Sequence, residues 1–236
     1  MSLPTIVIPK FSVMLPSNHK QVSFRPFLVK EEKALLLALE SENEDAMATA
    51  IKDVLQACVI DQDIKLETLP FFDVEYLFLN IRAKSVGEVA KFEYRHANGV
   101  NREGAECQHV TPIVVNLGDV KVQSQEDHTN KIQLTDQIGV VMKYPTLDIM
   151  RSAATDKNEF EIVAKCIECV YDAENTYEPD NVEDALKFIH QLSTDQFAKI
   201  IKFFETMPKL THRIDYKCEK CQQEDHVIFE GVADFF

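Results

Sequence analysis

The six cysteines of this sequence include two C-x-x-C pairs, which are the residues best suited to chemistry. Cys218 and Cys221 form the second pair and lie between two predicted strands, 210–216 and 226–230. Thiolates at this spacing in a turn between strands are typical ligands of a structural Zn²⁺ ion. The alternative is a tight polar hairpin with two reduced thiols, and the pair alone leaves both interpretations open.

A weak internal repeat supplies further candidate ligands. Residues 91–119 and 213–234 each read as a strand, a turn with His or Cys, and a second strand. Zinc ribbons are built from two such turns, because structural Zn²⁺ takes four N or S ligands in a closed tetrahedron. We therefore predict one structural zinc ion, with His109 as the alternative to His96 in a ligand set of His96, Cys107, Cys218 and Cys221.

The other pair, Cys166 and Cys169, lies in a segment predicted to be one helix over 159–171. A spacing of three places both thiols on one helical face, beside apolar neighbours, so buried structural cysteines are the favoured interpretation. A redox role is less favoured, because the C-x-x-C of thioredoxin-type proteins follows a strand and opens a helix.

The usual catalytic motifs are missing from the sequence. It contains no G-x-S-x-G, P-loop, G-x-G-x-x-G or H-E-x-x-H, and its six glycines are few for a phosphate-binding fold. The seven histidines are scattered, and none stands beside a recognisable nucleophile. We predict that the protein is not an enzyme; a zinc-dependent enzyme, whose metal would keep an open position for water, and a thiol redox protein are the alternatives.

The charge balance argues against nucleic acid as a partner. Asp and Glu outnumber Lys and Arg by 39 to 25, which gives a formal charge of -14 without a basic run. No segment has the unbroken apolar length of a membrane span, and the apolar runs near the start are too short for a signal peptide. We therefore expect neither nucleic acid nor a membrane as a partner, and we expect reduced or metal-bound cysteines.

The elements that must position these residues predict an α+β protein. Prolines interrupt residues 1–29, which are predicted to form an extended N-terminal arm or edge strands, and residues 30–236 are predicted to form a single domain. That domain is predicted to have a helical body with a central antiparallel β region and a split zinc-ribbon-like C-terminal hairpin. Its parts are helical 30–87, β-rich 88–144, helical 145–208 and hairpin 209–236.

The predicted helix from Phe71 to Arg82 carries more apolar surface than one core-facing stripe requires. It is either half buried and half an interface, or a fully buried central helix. The aromatic residues that close the chain are expected to dock, on this chain or on a neighbour. The predicted interface residues are Phe71, Phe72, Tyr76, Phe78, Phe235 and Phe236.

Several runs along the chain resemble the T4-type bacteriophage baseplate family, which comprises hub subunits and hub-assembly proteins. The runs span most of the chain and are 27–33, 76–88, 162–168, 192–200, 203–210, 216–221 and 230–236. The resemblance departs in the first turn, where members of the family often have paired cysteines and this chain has His96 and Cys107.

The resemblance implies a structural or assembly subunit of the hub of a contractile tail, acting through protein–protein binding. Its implied partners are other baseplate or tail proteins, together with self-association. The implied locations are the host cytoplasm during assembly and then the virion tail baseplate. An alternative role in the same family is a transient assembly chaperone that is absent from the mature virion.

Overall fold

The computed structural model describes residues 6–41, 43–95, 107–156 and 158–235. Over these residues the chain is a mixture of α-helices and small antiparallel sheets, and the prediction of that mixture is confirmed. The helices are α1 (Val29–Glu40), α2 (Glu44–Cys58), α3 (Phe71–Val86), α4 (Leu147–Asp156), α5 (Glu159–Cys166), α6 (Val182–Ile189) and α7 (Thr194–Thr206).

The strands pair only with antiparallel neighbours among the described residues. They are β1 (Phe11–Met14), β2 (Gln21–Phe24), β3 (Val89–Tyr94), β4 (Thr111–Asn116), β5 (Lys121–Gln123), β6 (Lys131–Gln133), β7 (Gly139–Met142), β8 (Ile167–Tyr171), β9 (Thr176–Tyr177), β10 (Lys209–Lys217) and β11 (Glu224–Glu230). A 3₁₀ turn, Val232–Phe235, follows β11.

A first hydrophobic core surrounds α3. Leu77, Phe78 and Leu79 are fully buried on three successive positions, so the helix is covered on most of its sides. The hairpins β1–β2 and β3–β4, the sheet β11-β10-β5, and helices α1 and α2 supply that cover. The extended segment before α1 belongs to this core, because Leu15 and Val22 are fully buried in it.

A second hydrophobic core lies between β5 and β10 in the sequence. It joins the sheet β6-β7-β8-β9 to helices α5, α6 and α7. Helix α7 begins with a capping box, in which the Ser193 and Gln196 side chains each accept a hydrogen bond from the other residue's backbone N–H. Since β5 pairs with β10, the chain enters and leaves this core at adjacent strands.

Aromatic residues join the two cores. Phe72 of α3 contacts Tyr144 edge to face, with 5.1 Å between ring centroids. The backbone N–H of Phe71 donates to the carbonyl oxygen of Pro145 at 2.8 Å. Tyr144 in turn stacks on Phe203 of α7. The cores therefore contact each other through side chains as well as through the β5–β10 pairing.

The predicted helix over 159–171 is wrong in its second half. Helix α5 ends at Cys166, and Ile167–Tyr171 forms β8 between β7 and β9. Cys169 is therefore on a strand, and the two thiols of this pair do not share a helical face. The physical reason is long-range pairing: Ile167, Val170 and Tyr171 have side chains that favour strands, and β7 offers them a ladder.

Candidate metal centre and interaction surfaces

Three of the four predicted zinc ligands come together in the structure, and all three are cysteines. The Sγ atoms of Cys107, Cys218 and Cys221 lie within 4.8 Å of one another. The Cys107 and Cys218 sulfurs are 3.9 Å apart, and both side chains are buried. Cys221 is half-buried at the outer side of the cluster. Residues more than a hundred positions apart in sequence thus meet at one point.

Two facing hairpins bring these cysteines together. Cys107 lies shortly before β4, whose partner is β3, while Cys218 directly follows β10. Ring contacts connect the hairpins, since Phe92 lies 4.8 Å from Phe229, and Tyr94 lies 5.8 Å from Tyr216, between ring centroids. A hydrogen bond at 2.8 Å from the Arg95 guanidinium to Gln108 Oε1 also holds the segment after Cys107 near the end of β3.

Two backbone hydrogen bonds close the turn between β10 and β11. The N–H of Cys218 donates to the carbonyl oxygen of Gln223, and the N–H of Gln222 donates to that of Cys218, both at 2.9 Å. Gln222 has a φ of 64°, a left-handed conformation that is uncommon for a residue with a side chain. This turn places Cys218 and Cys221 on the same side, toward Cys107.

The two predicted histidines differ in what the structure says about them. His96 lies outside the described residues. His109 is half-buried two positions after Cys107, and its Nε2 atom is buried without a hydrogen-bond partner. Among the described residues, the group of candidate ligand atoms within 4.8 Å of one another contains the three thiols and no histidine.

Desolvation raises the pKa of thiols both in the cysteine cluster and in the second core. Desolvation raises the pKa of Cys221 above its ordinary value; a backbone hydrogen bond involving Gln223 opposes this shift, and hydrogen bonding to Cys218 and Cys107 adds to it. Burial raises the pKa of Cys166, in the second core, to about 12. A thiol that stays protonated at neutral pH is a poor nucleophile, so Cys166 is suited to packing and not to redox chemistry.

The predicted interface residues fall into three groups. Phe72, Phe78 and Phe235 are buried within this chain, and Phe235 stacks on Phe229. Phe71 and Tyr76 are half-exposed, while Phe236 lies outside the described residues. Most of α3 thus has the geometry of the central helix that was the second interpretation of its sequence.

A groove of about 500 Å³ lies beside α3, and Phe71 lines it. Met47 of α2, Met150 of α4 and Val232 line the same groove. Glu75 lies in its wall and accepts a hydrogen bond from the N–H of Val232 at 3.0 Å. Burial, opposed by this hydrogen bond and assisted by the charges of Glu230 and Asp234, raises the pKa of Glu75 to about 7.

An exposed apolar surface that the sequence analysis missed lies on α1. Leu36, Leu37 and Leu39 are 53%, 57% and 47% exposed, while Leu35 and Ala38 face the core. The sequence does contain an indication of this surface, because the four leucines and one alanine of Leu35–Leu39 cover more than one side of a helix. We call Leu36, Leu37 and Leu39 the α1 leucine surface.

Among the helices of the described residues, none is long and apolar enough to span a membrane. No curated protein and no solved structure matches this chain significantly. The family described as T4 bacteriophage base plate protein matches residues 8–236, which is nearly the whole length and includes both cores and the cysteine cluster. The chain therefore belongs to the T4 bacteriophage base plate protein family, as its sequence resemblance predicted.

Proposed function

We propose that this protein is a structural or assembly subunit of the baseplate hub of a contractile phage tail. The family match over residues 8–236 carries the proposal, because it covers nearly the whole chain. A subunit of such an assembly acts by binding its neighbours, so its function depends on surfaces and not on a reaction. The high pKa of Cys166 and the scattered histidines fit this role.

The α1 leucine surface is the contact that we propose for a neighbouring subunit. Three exposed leucines on one short helix are more apolar surface than folding needs, and contiguous exposed apolar patches mark interaction sites. Fully burying an exposed leucine contributes roughly 1.5–3 kcal/mol, and since these three are about half exposed, each would contribute about half of that value to binding. The occupant is another protein of the tail, since the acidic chain repels nucleic acid.

Mass spectrometry of purified virions and of tail-assembly intermediates tests this function. We expect peptides of the protein in both samples, at a constant ratio to the other baseplate proteins. Presence in the intermediates alone would instead support the transient assembly chaperone. Absence from both, in infected cells that express the protein, would overturn the proposal.

A further inference from the structure

We propose that Cys107, Cys218 and Cys221 bind one structural Zn²⁺ ion, with His109 as the fourth ligand, and that this ion clamps the β3–β4 and β10–β11 hairpins together. The proposal rests on the geometry of the cysteine cluster and does not depend on the role of the protein in the hub.

The sulfur–sulfur distance fits a shared metal. With Zn–S bonds of about 2.3 Å, two thiolates at corners of a tetrahedron are ~3.8 Å apart. The Cys107 and Cys218 sulfurs are 3.9 Å apart. A disulfide would need about 2.05 Å, so the two sulfurs are not covalently bonded, and their spacing is compatible with two ligands of one ion.

The position of Cys221 argues against simple packing of reduced thiols. Buried cysteine often acts as a small apolar side chain, and Cys107 and Cys218 alone would fit that description. Cys221, however, is half-buried in the polar run Glu219–Gln223, away from the centre of either core. Its sulfur still points at the other two.

The conformation of the turn also fits a ligand site. Gln222 keeps a φ of 64°, although a left-handed conformation costs a residue with a side chain roughly 1–2 kcal/mol. Strained turns persist where the surrounding structure fixes them, often at functional sites. Here the strain directs both cysteines of the turn to Cys107, and metal binding would offset it.

Two observations support His109 as the fourth ligand. It is two residues from Cys107, on the segment that Gln108 attaches to Arg95. Its Nε2 is a buried nitrogen without a hydrogen-bond partner, and such a group costs free energy unless it is satisfied. A side-chain rotation toward the three sulfurs would satisfy it as a zinc ligand. With four protein ligands the site is closed and structural, with no open position for catalysis.

The first test is the metal content of the whole protein, purified without chelator. Native mass spectrometry and elemental analysis should give one zinc per chain. Replacement of zinc by Co²⁺ should give the thiolate-to-cobalt charge-transfer band and the intense visible bands of a tetrahedral site. Removal of the metal with a chelator should lower the Tm, because binding free energy at a structural site contributes to folding.

The ligand variants use a matched control in the second core. Cys221 and Cys169 are both half-buried members of a C-x-x-C pair, but only Cys221 lies in the cluster. We expect Cys221→Ser to weaken zinc binding at least tenfold and Cys169→Ser to leave one zinc per chain. His109→Ala should also weaken binding at least tenfold and shift the cobalt bands.

Three outcomes would overturn the proposal. Wild-type protein without zinc, which also takes up no Co²⁺ at micromolar concentration, would remove the site without relying on any variant. Equal zinc affinity in Cys221→Ser and Cys169→Ser would place the metal elsewhere. Unchanged affinity and cobalt spectrum in His109→Ala would remove His109 from the ligand set.

Discussion

Glu75 is the residue that connects the central helix to the end of the chain. It lies on α3, is 7% exposed, and accepts the Val232 N–H beyond β11. Gly231 has a φ of 76°, and a Cβ at that position would lie 2.9 Å from Glu75 Oε1. Glycine therefore lets the backbone turn this close to the carboxyl group without a close contact or a strained φ. Phe235 then docks on Phe229.

The raised pKa of Glu75 predicts a pH dependence of stability. The unfolded chain has the ordinary value of 4.5 and the folded chain a value of about 7, so the folded state binds more protons within this window. Stability should fall as the pH rises from about 4.5 to 7, by on the order of 3 kcal/mol, and then level off. Glu75→Gln keeps an acceptor for Val232 and should remove this slope.

Denaturant unfolding of both proteins at pH 5 and pH 8 measures the effect. At pH 8 the Gln variant should be more stable than the wild type, and at pH 5 the two should nearly agree. Glu31→Gln is the matched control, since Glu31 is also 7% exposed. Although burial opposes it, hydrogen bonds from Arg25 and from the Leu28 backbone N–H, together with the charge of Arg25, lower the pKa of Glu31, so this variant should lose stability at pH 8. Equal stability of wild type and Glu75→Gln at pH 8 would contradict the prediction.

The helices and strands show which part of the structure a sequence can predict. Local patterns located α2, α3, β3 and α7 within a few residues, because their periodicity, prolines and capping residues act over short distances. The cysteine turn was found for the same reason. The end of α5 was missed because β7, distant in sequence, decides that Ile167–Tyr171 is a strand.

The exposed side of α1 could not be predicted from its sequence alone. The run Leu35–Leu39 is apolar around most of the helix, and the docking of α1 on α2 and the first core determines that Leu35 faces inward. The meeting of Cys107 with Cys218 was suggested by the repeat. The sequence could not predict the distance between the sulfur atoms or the burial of His109 Nε2 without a hydrogen-bond partner, because both depend on how the two hairpins pack.

The α1 leucine surface gives a prediction at the level of one element. The double change Leu36→Gln and Leu37→Gln keeps good helix formers and removes exposed apolar area, so the free energy of unfolding should change by about 0.5 kcal/mol or less. Tail assembly should fail if a neighbouring subunit packs there. Complementation of a phage that lacks the gene, scored by plaque yield and by complete tails in micrographs, measures this.

Val182→Gln is the control for that experiment. Val182 is 37% exposed at the start of α6, in the second core, and its replacement should leave the phage yield unchanged. Normal yield from the α1 double variant would show that this surface is not the contact. If the wild type co-purifies with a tail protein and the folded double variant does not, the double variant is defective in binding. Loss of a dimer instead would identify the occupant as a second copy of the chain.

Among the described residues, the two cores meet at an aromatic junction and through α4, where Leu147 packs against the first core and Ile149 against the second. His128 shares in the aromatic junction, since its Nε2 is 2.9 Å from the Tyr144 hydroxyl and its Nδ1 is 3.0 Å from Thr206 Oγ1. Because Thr206 donates to the Lys202 carbonyl oxygen, it accepts from His128. His128 Nε2 is then the acceptor for Tyr144, which fits a neutral ring whose pKa is lowered by burial.

Phe72 is the residue of this junction that α3 contributes, and its loss should uncouple the cores. Phe72→Ala removes the ring that contacts Tyr144, while β5 still pairs with β10, so both cores should fold but unfold at different temperatures. Calorimetry should show a van't Hoff enthalpy below the calorimetric enthalpy, and hydrogen exchange should become faster in one core than in the other.

Leu79→Ala is the control, because Leu79 is fully buried on the same helix but lies only in the first core. It should destabilise the protein by roughly 2–5 kcal/mol and keep one transition. A single coincident transition in Phe72→Ala would contradict this prediction and show that the other contacts between the cores, which include the β5–β10 pairing and α4, keep them one cooperative unit.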